Sequence, residues 1–253
     1  MSTTSLPSEY PAHLYAAVHD GNAGDVEFYR RACADAGSVL ELGCGDARVL
    51  AAIEAPERVG LDLDAAMLEL AARRDPRLEL VCADMSQAAE ALAGRRFDRI
   101  IIPHGGLYCL LDPEQLGRTV AGAASLLAPG GELLLDCWAA DAFHAESEPE
   151  ELEAGWLERV KSIELEGEVW EVLERSSWDK QAQRIDATYV HVRVGGEEAV
   201  EGVLRQRYVL AAQLRDVLEN AQLDLKKLSG SFAGDEYDSD AELMVAQACH
   251  RDG

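Results

Sequence analysis

Apolar positions along the chain follow two rhythms. From about Val39 to Trp138, short apolar runs alternate with stretches of helical spacing, the pattern of a parallel sheet covered on both faces. Strands are expected at 38–42, 58–63, 78–82, 98–103 and 131–138, and helices at 48–55, 65–73, 88–92 and 113–127. The turn Ala128-Pro129-Gly130-Gly131 stops the last helix and feeds the fifth strand. Upstream, 10–18 and 26–36 read as two helices, with Asp25 as N-cap of the second. Downstream the period drops to two. Segments 168–178, 183–194 and 199–210 alternate and are joined by Asp179-Lys180 and Gly195-Gly196, an antiparallel meander. Helical spacing returns over 213–222, followed by strands at 223–231 and 242–249. No repeat or separating linker interrupts the pattern. The expectation is one domain over 1–253: a helical lid at 1–36, a core at 37–140, an antiparallel insertion at 160–210 and a final helix and strands at 211–253.

Charge narrows the partners. The 47 acidic and 23 basic residues give a formal −24, spread along the whole length. Such a surface repels nucleic acid and anionic membranes, and no Lys/Arg stripe interleaved with aromatics offers a local exception. The six cysteines stand singly without C-x-x-C spacing, and no signal peptide or long apolar run opens the chain, so a reduced, cytoplasmic protein is expected, its thiols serving as small hydrophobes. The six histidines have no metal-binding spacing, and no metal is expected.

The informative segment is Val39-Leu40-Glu41-Leu42-Gly43-Cys44-Gly45-Asp46-Ala47-Arg48, a buried strand running into a Gly turn and then a helix. Glycines there let the backbone pass close under a ligand, with free helix N–H groups facing it. A dinucleotide fingerprint needs a third Gly where Arg48 stands, so that turn is not reproduced. Glu41, two residues before Gly43, suits an amino-acid ammonium better than a diphosphate. Asp62 ends the second strand, 21 residues after Glu41, where a carboxylate can accept from both ribose hydroxyls. Asp84 ends the third strand, placed to accept from an adenine amino group while the N–H of Met85 faces a ring nitrogen. One acid at a strand end is often only a helix cap; three at successive strand ends mark the edge where open α/β sheets bind ligands.

With these residues in view, the core resembles the class I S-adenosylmethionine-dependent methyltransferases. Glu41-Leu42-Gly43-Cys44-Gly45 is similar to their first motif, Val59-Gly60-Leu61-Asp62-Leu63-Asp64 with Met67 to the second, Ala83-Asp84-Met85 to the third, and Leu127-Ala128-Pro129-Gly130-Gly131 to the turn before their fifth strand. The resemblance implies an α/β fold, a doubly wound, Rossmann-like seven-stranded sheet of mixed direction with a reversed seventh strand. It also implies a cofactor site. Glu41 with the backbone of Gly43, Cys44 and Gly45 would hold the methionine part, Asp62 the ribose, and Asp84 with Met85 the adenine; Met67 packs beneath the adenine, and Leu63 and Pro103 complete the cofactor-binding set. Ala47 departs from the family, many members of which carry a third Gly there.

In this fold the acceptor meets the sulfonium beyond the fourth strand, here Ile100-Ile101-Ile102-Pro103-His104-Gly105-Gly106-Leu107-Tyr108. The N/D-P-P-Y/F signature of amino-group methylation in DNA, rRNA or protein glutamine is absent, as is an Asp of the kind divalent-metal enzymes use. What remains is methyl transfer governed by positioning. His104 is the candidate catalytic residue, a base for a hydroxyl acceptor or an orienting group for an amine. The expected acceptor pocket is lined by Tyr15 and Tyr29 from the lid, Tyr108 after the fourth strand, Trp138 ending the fifth, and Arg207 and Tyr208 from the insertion. The function expected is methyl transfer from S-adenosylmethionine to a small N or O nucleophile, yielding S-adenosylhomocysteine, in a chain that pairs as a homodimer through the insertion. Three rivals stand: a nicotinamide-dependent oxidoreductase, against which Glu41 and Arg48 count, a non-catalytic S-adenosylmethionine-binding regulator, and a methyltransferase acting on a peptide.

Overall fold

The computed structural model describes residues 10–151 and 157–251. Two short helices, α1 (Ala12–Val18) and α2 (Asp25–Ala32), precede the core. The core runs β1 (Ser38–Leu42), β2 (Glu57–Asp62), α3 (Ala65–Arg74), β3 (Glu79–Cys82), α4 (Ala88–Ala91), β4 (Phe97–Ile102), α5 (Pro113–Leu126) and β5 (Leu127–Trp138). Then come α6 (Asp141–Glu146), β6 (Glu150–Glu151), β7 (Glu158–Leu165), β8 (Glu168–Asp179), β9 (Arg184–Arg193), β10 (Ala199–Arg207), α7 (Ala211–Asn220), β11 (Leu223–Ser229) and β12 (Leu243–His250).

All five residues of β1 are buried, Ser38 and Glu41 among them, as expected of a central parallel strand covered on both faces. The main sheet has the order β11-β12-β5-β4-β1-β2-β3. β5, β4, β1, β2 and β3 are parallel, and β12 runs antiparallel to both β5 and β11, the seven-stranded mixed sheet expected. Alternate residues feed two cores. Leu40, Leu42, Ile100, Ile102, Leu133 and Leu135 pack with α5 and α7, while Val39, Ile101 and Leu134 pack on the other face with Tyr29, Leu50, Ile53 and Ala71. Each such side chain contributes roughly 1.5–3 kcal/mol by leaving water. Helix starts are set by short acids: Asp64 accepts from Ala66 N (2.8 Å) and Asp112 from Glu114 N (2.7 Å), with Pro113 in the first turn of α5. Strand order reverses between β4 and β1, so a crevice opens at their C-terminal ends.

Several expectations change. The helix expected over 48–55 is a single 3₁₀ turn, Leu50–Ala52. Ala47 sits at φ 58, and the Leu50 N–H is drawn to Glu41 (2.9 Å), so the chain cannot enter a regular helix at Ala47. Asp25 is not a cap, because Gly24 takes that position and the Asp25 carboxylate instead grips both terminal nitrogens of Arg48 (3.1 and 2.5 Å). The two N-terminal helices part company. α1 packs on the insertion, where Tyr10, Leu14 and Val18 meet Ile163, Val172 and Tyr189; α2 packs on the core. The insertion is a second sheet, β10-β9-β8-β6 with β7 also on β8, so β6, β7 and α6 add to the meander legible in the sequence.

Candidate active site

A cavity of about 330 Å³ occupies the crevice at the ends of β1, β2, β3 and β4, roofed by α1 and β10. At its floor the turn after β1 is shaped by its own backbone. Gly43 (φ 69) and Cys44 both donate to Leu61 O (2.8 and 3.0 Å), Gly45 donates to Asp62 Oδ2 (2.7 Å) and Ala47 to Cys44 O (2.7 Å). A Cβ on Gly43 would lie 3.0 Å from Met85 Cε, so the turn and Met85 are in close packing. The N–H groups of Gly43, Cys44, Gly45 and Ala47 are therefore spent internally, and no α-helix starts here to gather a phosphate. The cradle presents acceptors, which suits a cation.

Glu41 reinforces this. It is 3 % exposed, lines the cavity and accepts from Leu50 N. Burial raises its carboxyl well above the ordinary range; the Leu50 bond and Arg48 only partly oppose that, Arg48 being held by Asp25. A buried carboxyl of this kind gains most from a cationic ligand. Asp62 accepts from Gly45 N and, through Oδ1, from Asp64 N (2.8 Å); burial raises its carboxyl too. Asp84 accepts from Ser86 N (2.8 Å), capping a 3₁₀ turn, and still faces the cavity. Leu63, Met67, Met85 and Pro103 also line it.

The tip of β4 is tied down from below. His104, at φ 52, donates its backbone N–H to Asp136 Oδ1 (2.9 Å), and Gly105 donates to Asp136 O (2.8 Å). Asp136 is 1 % exposed; its Oδ1 also takes the Tyr29 hydroxyl (2.7 Å), and burial pushes its carboxyl up to about 6. The His104 imidazole lines the cavity with its pKa lowered by burial.

The roof is aromatic. Tyr10, Tyr15 and His19 descend from α1 and its flanks; Leu204 and Gln206 of β10, with Cys109 and Gln115 behind the β4 tip, close the chamber. α1 is held by Tyr10 Oη against His191 Nε2 (2.9 Å) and by Lys161 Nζ on Val18 O (3.2 Å). Cys109 is open to the cavity yet enclosed by protein, and its thiol is pushed up to about 11 by burial. Among the described residues no three His, Cys, Asp or Glu side chains gather as a metal would need, and no helix is long and apolar enough to cross a membrane.

Comparison with known proteins agrees with this arrangement. Residues 39–131 match the family described as a methyltransferase domain. The fold superimposes on the CcbJ methyltransferase of Streptomyces caelestis with a TM-score of 0.77 at 23% identity, covering 97% of this chain and 100% of that one. Residues 39–131 are thus similar to a methyltransferase domain, and the chain shares the fold of that enzyme. The chain is similar to the dTDP-4-amino-2,3,4,6-tetradeoxy-D-glucose N,N-dimethyltransferase of Saccharopolyspora spinosa, 28% identical over 146 residues, 54% of this chain and 57% of that protein. It is also similar to the dTDP-3-amino-3,4,6-trideoxy-alpha-D-glucopyranose N,N-dimethyltransferase of Streptomyces venezuelae, 30% identical over 119 residues, 46% of this chain and 49% of that protein. The match thus spans about half the length of these curated relatives.

Within this fold, Glu41, Gly43, Cys44, Gly45, Asp62, Leu63, Met67, Asp84, Met85, Pro103 and His104 share one cavity with Tyr15. Five residues expected at the acceptor pocket lie elsewhere. Tyr29 is fully buried beneath Asp136. Tyr108 turns inward and donates to Trp138 O (2.7 Å) and Val209 O (3.2 Å). Trp138 packs edge-on against Tyr108 and Phe143, Tyr208 bonds His144 Nδ1 (2.8 Å), and Arg207 donates to Gln183 Oε1 (3.2 Å). These groups join the insertion to the core, because an aromatic ring with a polar tip is stable where the ring is buried and the tip finds a partner. Tyr10, His19, Cys109, Gln115, Leu204 and Gln206 were missed. In sequence Tyr10 opens the expected helix 10–18 and His19 follows it, like any other polar or aromatic residue; only the packing of α1 on the insertion sheet turns them toward the cavity.

Proposed function

We propose that this chain transfers the methyl group of S-adenosylmethionine to the amine of an amino-sugar-like small molecule, releasing S-adenosylhomocysteine. What carries the reading is one continuous cavity that joins a cradle of acceptors to an aromatic chamber. Glu41 and the turn at Gly43 to Gly45 would hold the amino-acid part of the cofactor, Asp62 the ribose, and Asp84 with Met85 the adenine; the internally spent N–H groups count against a dinucleotide. When bound, the cofactor supplies an already activated methyl group, so the protein's task is alignment and exclusion of water.

Nitrogen is favoured over oxygen as the acceptor. A neutral amine attacks with its own lone pair, whereas a hydroxyl needs a base, and burial makes both His104 and His19 weak bases. His104 accordingly orients the acceptor. The names of the two relatives, both dTDP-amino-sugar N,N-dimethyltransferases, point the same way. The formal charge of −24 fits a small cytoplasmic acceptor rather than nucleic acid or a membrane surface. Pairing of two copies through the insertion, where Leu157, Val160, Val169 and Val194 stand exposed, completes the reading, and sedimentation tests it.

The decisive assay incubates the full chain with S-adenosylmethionine and a panel of dTDP-linked amino deoxyglucoses, their methyl glycosides and the matching 3- and 4-hydroxy sugars. Formation of S-adenosylhomocysteine with amines and not with hydroxyls is expected. Its absence with every amine, or a thermal shift with NADH and none with S-adenosylhomocysteine, refutes the proposal.

A further inference from the structure

The charge around the cavity is one-sided. Five carboxyls face it, those of Glu41, Asp46, Asp62, Asp64 and Asp84, against one guanidinium, Arg48, which Asp25 already grips (3.1 and 2.5 Å). All 23 Lys and Arg residues of the chain lie among the described residues, and those on the surrounding elements are committed elsewhere. Arg74 of α3 holds Asp46 itself, and Lys161 of β7 holds Asp20 (2.9 Å). At the start of α5, Gln115 faces the cavity while Arg118 turns to Glu114. On the roof, the alternation of side chains along a strand decides. Leu204 and Gln206 of β10 line the cavity, whereas Arg205 and Arg207 take the other face, Arg205 beside its cross-strand partner Asp186 and Arg207 on Gln183 (3.2 Å). The inward groups of the roof are thus amides and the outward ones guanidiniums. Burial raises the carboxyls of Glu41 and Asp62, and neighbouring acids raise them further. A bound dianion would add to that repulsion in a site where partial burial strengthens it.

Resting on the amine reading above, we propose that the acceptor is an amino sugar without a diphosphate, a glycoside whose nucleotide has already left, held at its hydroxyls by Gln115 and Gln206. A nucleotide-linked sugar with its amine at the cofactor carries its phosphates across a single pyranose ring, inside this cavity or at its mouth, where carboxyls would face them. A carboxamide both donates and accepts, which matches a hydroxyl. Neither glutamine side chain has a hydrogen-bond partner among the described residues, and both are half-buried, open to a ligand in the cavity. The class of reaction that supplies such an acceptor is a glycosyl transfer, which exchanges the nucleotide for a carrier before methylation. This separates the chain from the dTDP-linked acceptors in the names of the two relatives described above.

The test gives the full wild-type chain the best amine of the panel in two forms, the methyl glycoside and the dTDP-linked sugar. The glycoside is expected to lead by about tenfold or more in kcat/KM at low salt, with the gap narrowing as salt screens the carboxyls, and free dTDP should not compete with it. Equal or better use of the dTDP-linked sugar, or competition by dTDP, overturns the assignment and leaves the amine reading standing. Methylation of no amine in either form overturns the amine reading and the assignment with it. These comparisons need no variant to fold. Gln115→Leu and Gln206→Leu should each raise KM for the glycoside about fivefold or more, with kcat and S-adenosylhomocysteine affinity near wild type. Unchanged KM in both, or an equal loss of cofactor affinity, overturns the role of the amides. Gln206→Arg, which puts a cation on the cavity face of β10, should raise kcat/KM for the dTDP-linked sugar, and no gain there overturns the electrostatic argument.

Discussion

Glu41→Gln separates binding from folding at the cofactor cradle. Glutamine keeps an oxygen to accept the Leu50 N–H, 2.9 Å away in the structure, and turns an NH₂ toward the cavity in place of a carboxylate oxygen. The interaction lost is a charge-assisted bond to the cofactor ammonium, worth about 1.5–3 kcal/mol, or about 10- to 150-fold in Kd. Protons add a second signature. Burial raises the Glu41 pKa in the free protein, and a cation favours the ionised form, so binding expels a proton at any pH below that raised value. Affinity for S-adenosylhomocysteine should therefore climb with pH, by up to about tenfold per unit, and level off above the raised pKa. The same group's contribution to stability has the opposite trend, being greatest when protonated and lost as pH rises through that pKa. Glu41→Gln should flatten the affinity profile and melt no lower than wild type at pH 8. Isothermal titration between pH 5.5 and 8.5, with a thermal melt at each point, reads both. A Kd within threefold of wild type at pH 8, or a pH profile parallel to that of wild type, refutes the reasoning.

Tyr29→Phe removes a hydroxyl 2.7 Å from the buried Asp136 carboxylate, whose pKa is about 6. Above that pH the loss is a bond to a charged group, about 1.5–3 kcal/mol of stability; below it, where Asp136 is protonated, the loss shrinks to about 1 kcal/mol, and urea titrations showing the gap widening as pH falls would contradict this. Asp62→Asn sets an amide NH₂ against the Gly45 or Asp64 N–H, which lie 2.7 and 2.8 Å from the carboxylate, and should weaken cofactor binding at least tenfold, about 1.4 kcal/mol, in the same titration. His104→Ala should lower kcat for the amine while leaving S-adenosylhomocysteine affinity unchanged, since its backbone N–H to Asp136 survives; unchanged turnover removes the imidazole from the reaction.

Much of the fold was legible because it follows local rules. The central parallel strands announce themselves by short apolar runs, and the alternation of Val39 against Leu40 and Leu42 places them on opposite faces. Helix starts were less legible: the cap expected at Asp25 is Gly24, while Asp64 and Asp112 cap α3 and α5. The helix expected at 48–55 failed for a reason outside that window: Glu41 claims the Leu50 N–H and Asp25 claims Arg48, from 9 and 23 residues away.

The site divides along the same line. Glu41, Asp62 and Asp84 could be read from the sequence because strand order and the ends of strands place them, whatever packs above. Tyr15 and Tyr29 look alike in sequence, each an aromatic in a short N-terminal helix. One lines the cavity and the other lies under Asp136, 107 residues away. His19 lines the cavity only because α1 is laid against the insertion, fastened by Tyr10 to His191 across 181 residues. By itself the sequence determined the sheet, the turn and the acids at the strand ends, since each depends on neighbours a few residues off. Only the tertiary structure decided which aromatic and imidazole groups face the cavity, because burial and pairing between distant segments determine where a side chain points.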